Sequence, residues 1–219
     1  MLKILGLALG ALVVSTAVWA ETPPLEPTVG YEGDAVINDV KGGRSMTMKI
    51  NGEGNLYRSE MNPQPGMTVY SVINFDTGKI ISWMKGGPMA QMGNYYMEMD
   101  GKKNKGPMGN WADAKDKVTF TKKGTSTVAG ADCTLWHGQP KDGSQGGTVC
   151  VTDEGLRLSM TPDGETKPVF EVTRFTTGDQ DDALFGPPAG FQPFPYQLPG
   201  GAGGAMGPGG MPPGMMGPQ

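Results

Sequence analysis

The residues able to do chemistry are few and widely spaced. The chain of 219 residues holds two cysteines, Cys133 and Cys150, a single histidine, His137, and sixteen methionines. His137 falls in a segment that reads as a strand and shares a face with Leu135 and Cys133. A nucleophilic triad needs a base, a nucleophile and an orienting group brought together, and no such set can be assembled. The acidic pairs Asp153 with Glu154 and Asp181 with Asp182 fall in turns. Carboxylates there stay solvated, whereas a general acid needs burial to hold its proton. No glycine-rich loop leads from a strand into a helix, so a phosphate cradle is not supported. The expectation is a protein that is not an enzyme and uses no cofactor.

The two cysteines lack the Cys-x-x-Cys spacing of a redox pair, and one histidine is too few to complete a metal site with them. Between them lies Pro140-Lys141-Asp142-Gly143, a turn signal flanked by β-type residues. Two antiparallel strands joined by that turn bring the sulfurs within bridging reach, so a Cys133–Cys150 disulfide is expected. Closing that loop contributes about 3 kcal/mol in the chain-entropy model.

Methionine is the anomaly. Met46, Met48, Met61, Met67, Met84, Met89, Met92, Met97, Met99 and Met108 crowd the first half of the chain. The thioether side chain is unbranched and polarisable, and it adapts to irregular apolar shapes. Met46, Met48, Trp83, Met84, Tyr95, Met97 and Met99 are the candidate ligand-binding set, as the lining of a concave sheet face suited to a flexible greasy ligand. A methionine-rich core with no ligand uses the same pattern. A third reading is Cu(I), which thioethers select, with Met89 and Met92, or Met211, Met215 and Met216, as ligands. No His or Cys accompanies either cluster.

The elements that must position these residues are strands. From residue 30 to 175 the apolar period is two. Candidate strands cover 31–38, 46–50, 56–61, 69–75, 79–84, 95–99, 117–122, 132–137, 148–152, 156–160 and 169–175. Asp76-Thr77-Gly78, Asp153-Glu154-Gly155 and Pro162-Asp163-Gly164 are turns in which glycine takes the positive φ. The spacing predicts a mainly β fold, a meandering antiparallel sheet of eight to ten strands, with one short helical turn near 181–185 capped by Asp181. Phe191 and Phe194 are expected to dock the closing segment on a sheet edge.

Composition agrees and excludes alternatives. Gly is 36 and Pro 19, too many for a helical bundle. The formal net charge is −4, and Lys102, Lys103 and Lys105 form a loop cluster too small for a nucleic-acid footprint. Residues 1–20 read as a cleaved signal peptide: Lys3, then an apolar run at 4–14, then Val18-Trp19-Ala20 before Glu21. No transmembrane segment is expected after cleavage. Residues 21–28 read as a linker, 29–195 as one β domain, and 196–219 as a disordered Gly/Pro/Met-rich tail with too few side chains to offset ordering entropy.

The order of signals resembles a known family. Leu56-Tyr57-Arg58-Ser59-Glu60-Met61 is followed by Asn74-Phe75-Asp76, Tyr95-Tyr96-Met97-Glu98-Met99, and Val128-Ala129-Gly130-Ala131-Asp132-Cys133. Then come the Asp-x-Gly-x-x-Leu turn of Asp153 to Leu158 and the closing run Leu184-Phe185-Gly186-Pro187-Pro188-Ala189-Gly190-Phe191. Together they resemble the exported bacterial domains grouped as DUF4412, distantly similar to the LolA/LolB-like lipoprotein-carrier fold. The resemblance covers about 29–195 and implies a strongly curved half-barrel in the periplasm. With the methionine pattern, it implies a non-enzymatic binding or carrier module for a hydrophobic small molecule or lipid. Besides Cu(I) binding, the other alternative is an envelope interaction protein acting through its tail on a protein partner.

Overall fold

A computed structural model describes residues 21–39, 43–87, 93–101 and 114–195. The signal peptide, the lysine cluster, Met89, Met92, Met108 and the tail lie outside the described residues.

The described chain forms a single twelve-stranded sheet. Its strands are β1 (Tyr31–Asp39), β2 (Arg44–Glu53), β3 (Leu56–Gln64), β4 (Met67–Asn74), β5 (Lys79–Gly86), β6 (Tyr95–Asp100), β7 (Val118–Val128), β8 (Ala131–Pro140), β9 (Gly147–Val151), β10 (Arg157–Pro162), β11 (Phe170–Thr177) and β12 (Gln192–Pro193). The spatial order is β12-β6-β5-β4-β3-β2-β1-β11-β10-β9-β8-β7. Two meanders, β1–β6 and β7–β11, are therefore zipped together by the β1–β11 pair. All pairings are antiparallel except the short parallel contact of β12 with β6. Helix is confined to one turn before β7, Ala114–Lys117, and a 3-10 turn, Asp182–Phe185. All eleven segments read from the period-two pattern are strands. The count exceeds eight to ten, and β12, at two residues, is too short to show any period.

The cysteines are bonded, with Cα atoms 5.5 Å apart. Leu135, not Cys133, stands directly opposite Cys150. The bridge therefore runs diagonally between β8 and β9, and both cysteines are buried. They belong to the main core with Ala35, Met48, Ile50, Tyr57, Leu158, Phe170 and Val172.

A separate cluster seals the outer face of β4 and β5. Val72 and Trp83 pack there under Phe185, with Leu184 and Phe191 beside them. The Asp181 carboxylate accepts the Ala183 N–H at 2.9 Å and caps the turn that delivers Phe185. Gln192 then donates its N–H to the Asn94 carbonyl, and Phe194 its own to Tyr96. The Leu-Phe-Gly-Pro-Pro-Ala-Gly-Phe run is thus the cover of the outer face. Residues 21–28 also lie against the body: Thr28 donates its N–H to the Glu154 carbonyl at 2.9 Å, and Leu25 packs near Trp136 and Val149.

Candidate functional site

Cross-strand partners in an antiparallel sheet share a face, so the registers place side chains in rows. Tyr31, Gly52, Tyr57, Ile73, Ile80 and Met99 form one row across β1–β6. The next is Gly33, Ile50, Ser59, Ser71, Ser82 and Met97, and after it Ala35, Met48, Met61, Val69 and Met84. Ile37 and Met46 open a further row, to which the Met67–Gly86 pair belongs at its far end. Ser59, Ser71 and Ser82 thus put short side chains between two taller apolar rows, with Ser59 itself buried. Ser71 Oγ and Ser82 Oγ hydrogen-bond to each other at 3.1 Å.

This face is concave. One cleft is lined by Tyr31 of β1, Ile50 of β2, Tyr57 of β3, Val149 of β9, Met160 of β10 and Phe170 of β11, with Arg157 among them. In a flat sheet β3 and β9 would stand five strand spacings apart, about 24 Å. Their side chains meet only because the wall curls on itself. The cleft is narrow, with a free volume of ≈ 30 Å³, room for about two water molecules.

Of the seven predicted residues, Met46, Met48, Met84, Tyr95, Met97 and Met99 share this inner face. Met48 is sealed at 5% exposure, while Met46 and Met99 are open at 39% and 45%. The remaining three are half-buried. Met61 and Met67 join the same face through the registers given above. Trp83 is set apart from the six. It is the chain neighbour of Met84, and period two turns it to the outer face, where it packs on Val72 and Phe185. Tyr95 meets Phe194 edge-on, ring centroids 5.7 Å apart, at the sheet edge.

Sequence reasoning missed the polar end of the cleft. Alternation between Leu156 and Leu158 would send Arg157 away from their side. A register shift between Arg157 and Ser159 re-aims it, as bulges do, and the guanidinium lies beside the Phe75 ring, 5.8 Å from its centroid. Burial lowers the Arg157 pKa from its usual value, while the charges of Tyr31 and Tyr57 act to raise it. Burial also pushes the Tyr31 phenol up to about 12, against the opposing pull of Arg157. Tyr57 is driven upward too, chiefly by burial. Its hydroxyl has no hydrogen-bond partner. The Tyr31 ring lies over Gly52: a Cβ there would overlap Tyr31 Cε1 and Cζ, so only glycine leaves room for the ring.

His137 lies away from the cleft. Its Nε2 is 3.1 Å from both Asp163 carboxylate oxygens, which ties β8 to the turn after β10. Among the described residues no group of three or more His, Cys, Asp or Glu gathers as a metal site, and no helix is long and apolar enough to cross a membrane. The residues of the Cu(I) alternative lie outside the described part of the chain.

No protein-family model matches the chain, and no curated protein does. Among solved structures it is similar to MucB, at 17% identity and TM-score 0.47 over 75% of this chain and 59% of that one. It is also similar to the MucA/MucB complex of Pseudomonas aeruginosa, at 14% identity and TM-score 0.41 over 80% and 63%. A third is an outer membrane lipoprotein-sorting protein domain from Vibrio parahaemolyticus, at 11% identity and TM-score 0.33 over 71% and 89%. The chain spans less than two thirds of the length of the matched chains in the first two.

Proposed function

We propose that this protein is a non-enzymatic binding or carrier module of the periplasm that holds a hydrophobic ligand, an acyl chain above all, on the inner face of its curved sheet. The observation that carries the reading is that Met46, Met61, Met84, Met97 and Met99, all half-buried or exposed, share one concave sheet face with the cleft lined by Tyr31, Tyr57, Met160 and Arg157. Flexible thioethers along such a face conform to chains of differing shape. Burying one methylene against them contributes about 0.8 kcal/mol, so a chain of about ten carbons or more is needed for micromolar affinity. Met46 and Met99 form the open rim, Met84, Met97 and Tyr95 the far wall, and Met48 the sealed floor, with Trp83 bracing the sheet from behind. The buried Cys133–Cys150 bond fits an oxidising compartment. Native mass spectrometry of the purified protein, with solvent extraction and lipid analysis, tests the proposal. A co-purifying hydrophobic molecule is expected. No such molecule, together with no uptake of a neutral hydrophobic fluorophore, overturns it.

A further inference from the structure

We infer that Tyr196 and Leu198, the first apolar residues after Pro195, cover the far margin of the inner face: they continue β12 along β6 and lie against Met99. The inner face of β3–β6 is apolar and unsealed. Met61, Val69, Ile73, Met84 and Met97 are half-buried there, and Met99 is 45% exposed.

The occupant follows from where the described chain stops. β12 runs parallel to β6, with Gln192 beside Tyr95 and Pro193 beside Tyr96. Partners in such a pair share a face, so residues 192 and 194 look to the inner side, where the Phe194 ring meets Tyr95. The same two residues carry the hydrogen bonds, Gln192 N–H to the Asn94 carbonyl and Phe194 N–H to the Tyr96 carbonyl. Pro193 and Pro195 fall at the alternate positions, where a donor would point away from β6 and none is needed. Tyr196-Gln197-Leu198-Pro199 keeps this phase, with N–H groups and apolar side chains at the even positions. One further step of the ladder sets the Tyr196 N–H against the Glu98 carbonyl and its ring beside Met99, with Leu198 diagonal to Met99. No charged side chain follows Asp182, so seating this segment on apolar surface desolvates no ion. It adjoins an anchored strand, which keeps closure entropy small and effective concentration high. The cover stands independently of the carrier reading. One consequence rests on that reading: a hydrophobic ligand on this face displaces Tyr196 and Leu198, and so binds against an internal competitor.

The test is methionine oxidation by hydrogen peroxide, read residue by residue by mass spectrometry on the full-length protein. In the described sheet Met46 and Met99 are similarly exposed, at 39% and 45%, but Met46 lies at the opposite margin, on β2. A cover seated about nine-tenths of the time predicts that Met99 oxidises about tenfold more slowly than Met46. Tyr196→Ser combined with Leu198→Ser should bring the two rates together, and Tyr196→Phe should keep them apart. Met48, buried in the core, should stay protected in every variant, which reports an intact fold. The methyl ester of cis-parinaric acid, a neutral fluorescent chain, should bind the double-serine variant about tenfold more tightly than the parent, because the same open fraction limits both. Equal rates at Met46 and Met99 in the parent would overturn the cover and leave the carrier reading standing. A Met99 that stays slow in the double-serine variant would overturn Tyr196 and Leu198 as its source. Rates that respond as expected beside an unchanged ester affinity would overturn the displacement alone. Failure of the ester to bind either protein would overturn the carrier reading while the oxidation rates decide the cover.

Discussion

Tyr70 and Trp83 lie stacked on the outer face of the sheet, ring centroids 5.3 Å apart and planes within 7°. Arg58 stands over the Tyr70 ring at 5.0 Å from its centroid, and Arg58 Nη1 donates to Asn51 Oδ1 at 3.1 Å. Asn51 Nδ2 in turn donates to Gln180 Oε1 at 2.9 Å, which anchors the chain entering the capped turn. The outer face of β4 and β5 thus carries its own packed layer under Phe185, whereas the inner face holds the main core at β1–β3 and leaves Met46 and Met99 exposed at its margins.

That division gives the first prediction. Trp83→Ala removes a large buried ring from a packed layer and should cost about 3–5 kcal/mol of stability, read from urea unfolding. The variant that remains folded should bind the parinaric ester as the parent does. A marked loss of ester affinity without a loss of stability would place Trp83 in the ligand site after all.

Met46 and Met99 behave in the opposite way, because both are exposed. Replacing both by serine should change unfolding free energy by no more than about 1 kcal/mol, the range of ordinary surface substitutions. Ester affinity should fall about tenfold, as expected for losing thioether contacts with a bound chain. Unchanged affinity would remove these two residues from the rim. Met48→Ala should instead destabilise by about 2–5 kcal/mol, since Met48 is sealed in the core.

The diagonal Cys133–Cys150 bridge closes a loop of sequence separation 17. Replacing both cysteines by serine should lower stability by about 3 kcal/mol or more, the loop-entropy contribution plus the cost of placing hydroxyls in the core. The denaturation midpoint should drop in the variant and, equally, in the parent under a strong reductant. A parent indifferent to the reductant would show that the bond contributes little.

Alkali should unfold the protein through its inner phenols. Tyr31 is raised from 10.0 to about 12 in the folded state, so the native form holds that proton more tightly than the unfolded chain does. The associated stability is fully present below pH 10 and is lost as pH climbs through about 12. It amounts to about 2–3 kcal/mol for a shift of this size. Denaturant midpoints should be flat up to the lower limit and fall steeply above it. Tyr31→Phe should soften the fall, and Tyr57→Phe should act in the same direction. An identical alkaline profile in both variants would contradict the burial of these rings.

Much of the scaffold was legible because strand alternation is a local signal. Met46, Met48 and Ile50 announce an inner face within five residues, and Asp181 before Asp182-Ala183-Leu184-Phe185 announces a capped turn within five more. Trp83 and Met84 show the limit of that signal. Adjacent residues must part to opposite faces, but only the pairing of β4 with β5 decides which of the two goes inward. Arg157 shows a harder limit. Its place in the cleft depends on a register shift in β10 and on β3 arriving from far along the chain, and neither leaves a mark on Leu156-Arg157-Leu158 alone.

What the amino-acid sequence determined by itself was therefore the material: strands of period two, turns with glycine where φ is positive, a cysteine pair with a turn between them, and methionines in phase with one another. What the tertiary structure decided was the curvature and the meeting of distant strands. Curling β3, β2, β1, β11, β10 and β9 around one space is a collective outcome of twist and core packing. The cleft with Tyr31, Tyr57 and Arg157 exists only once all six strands are in place.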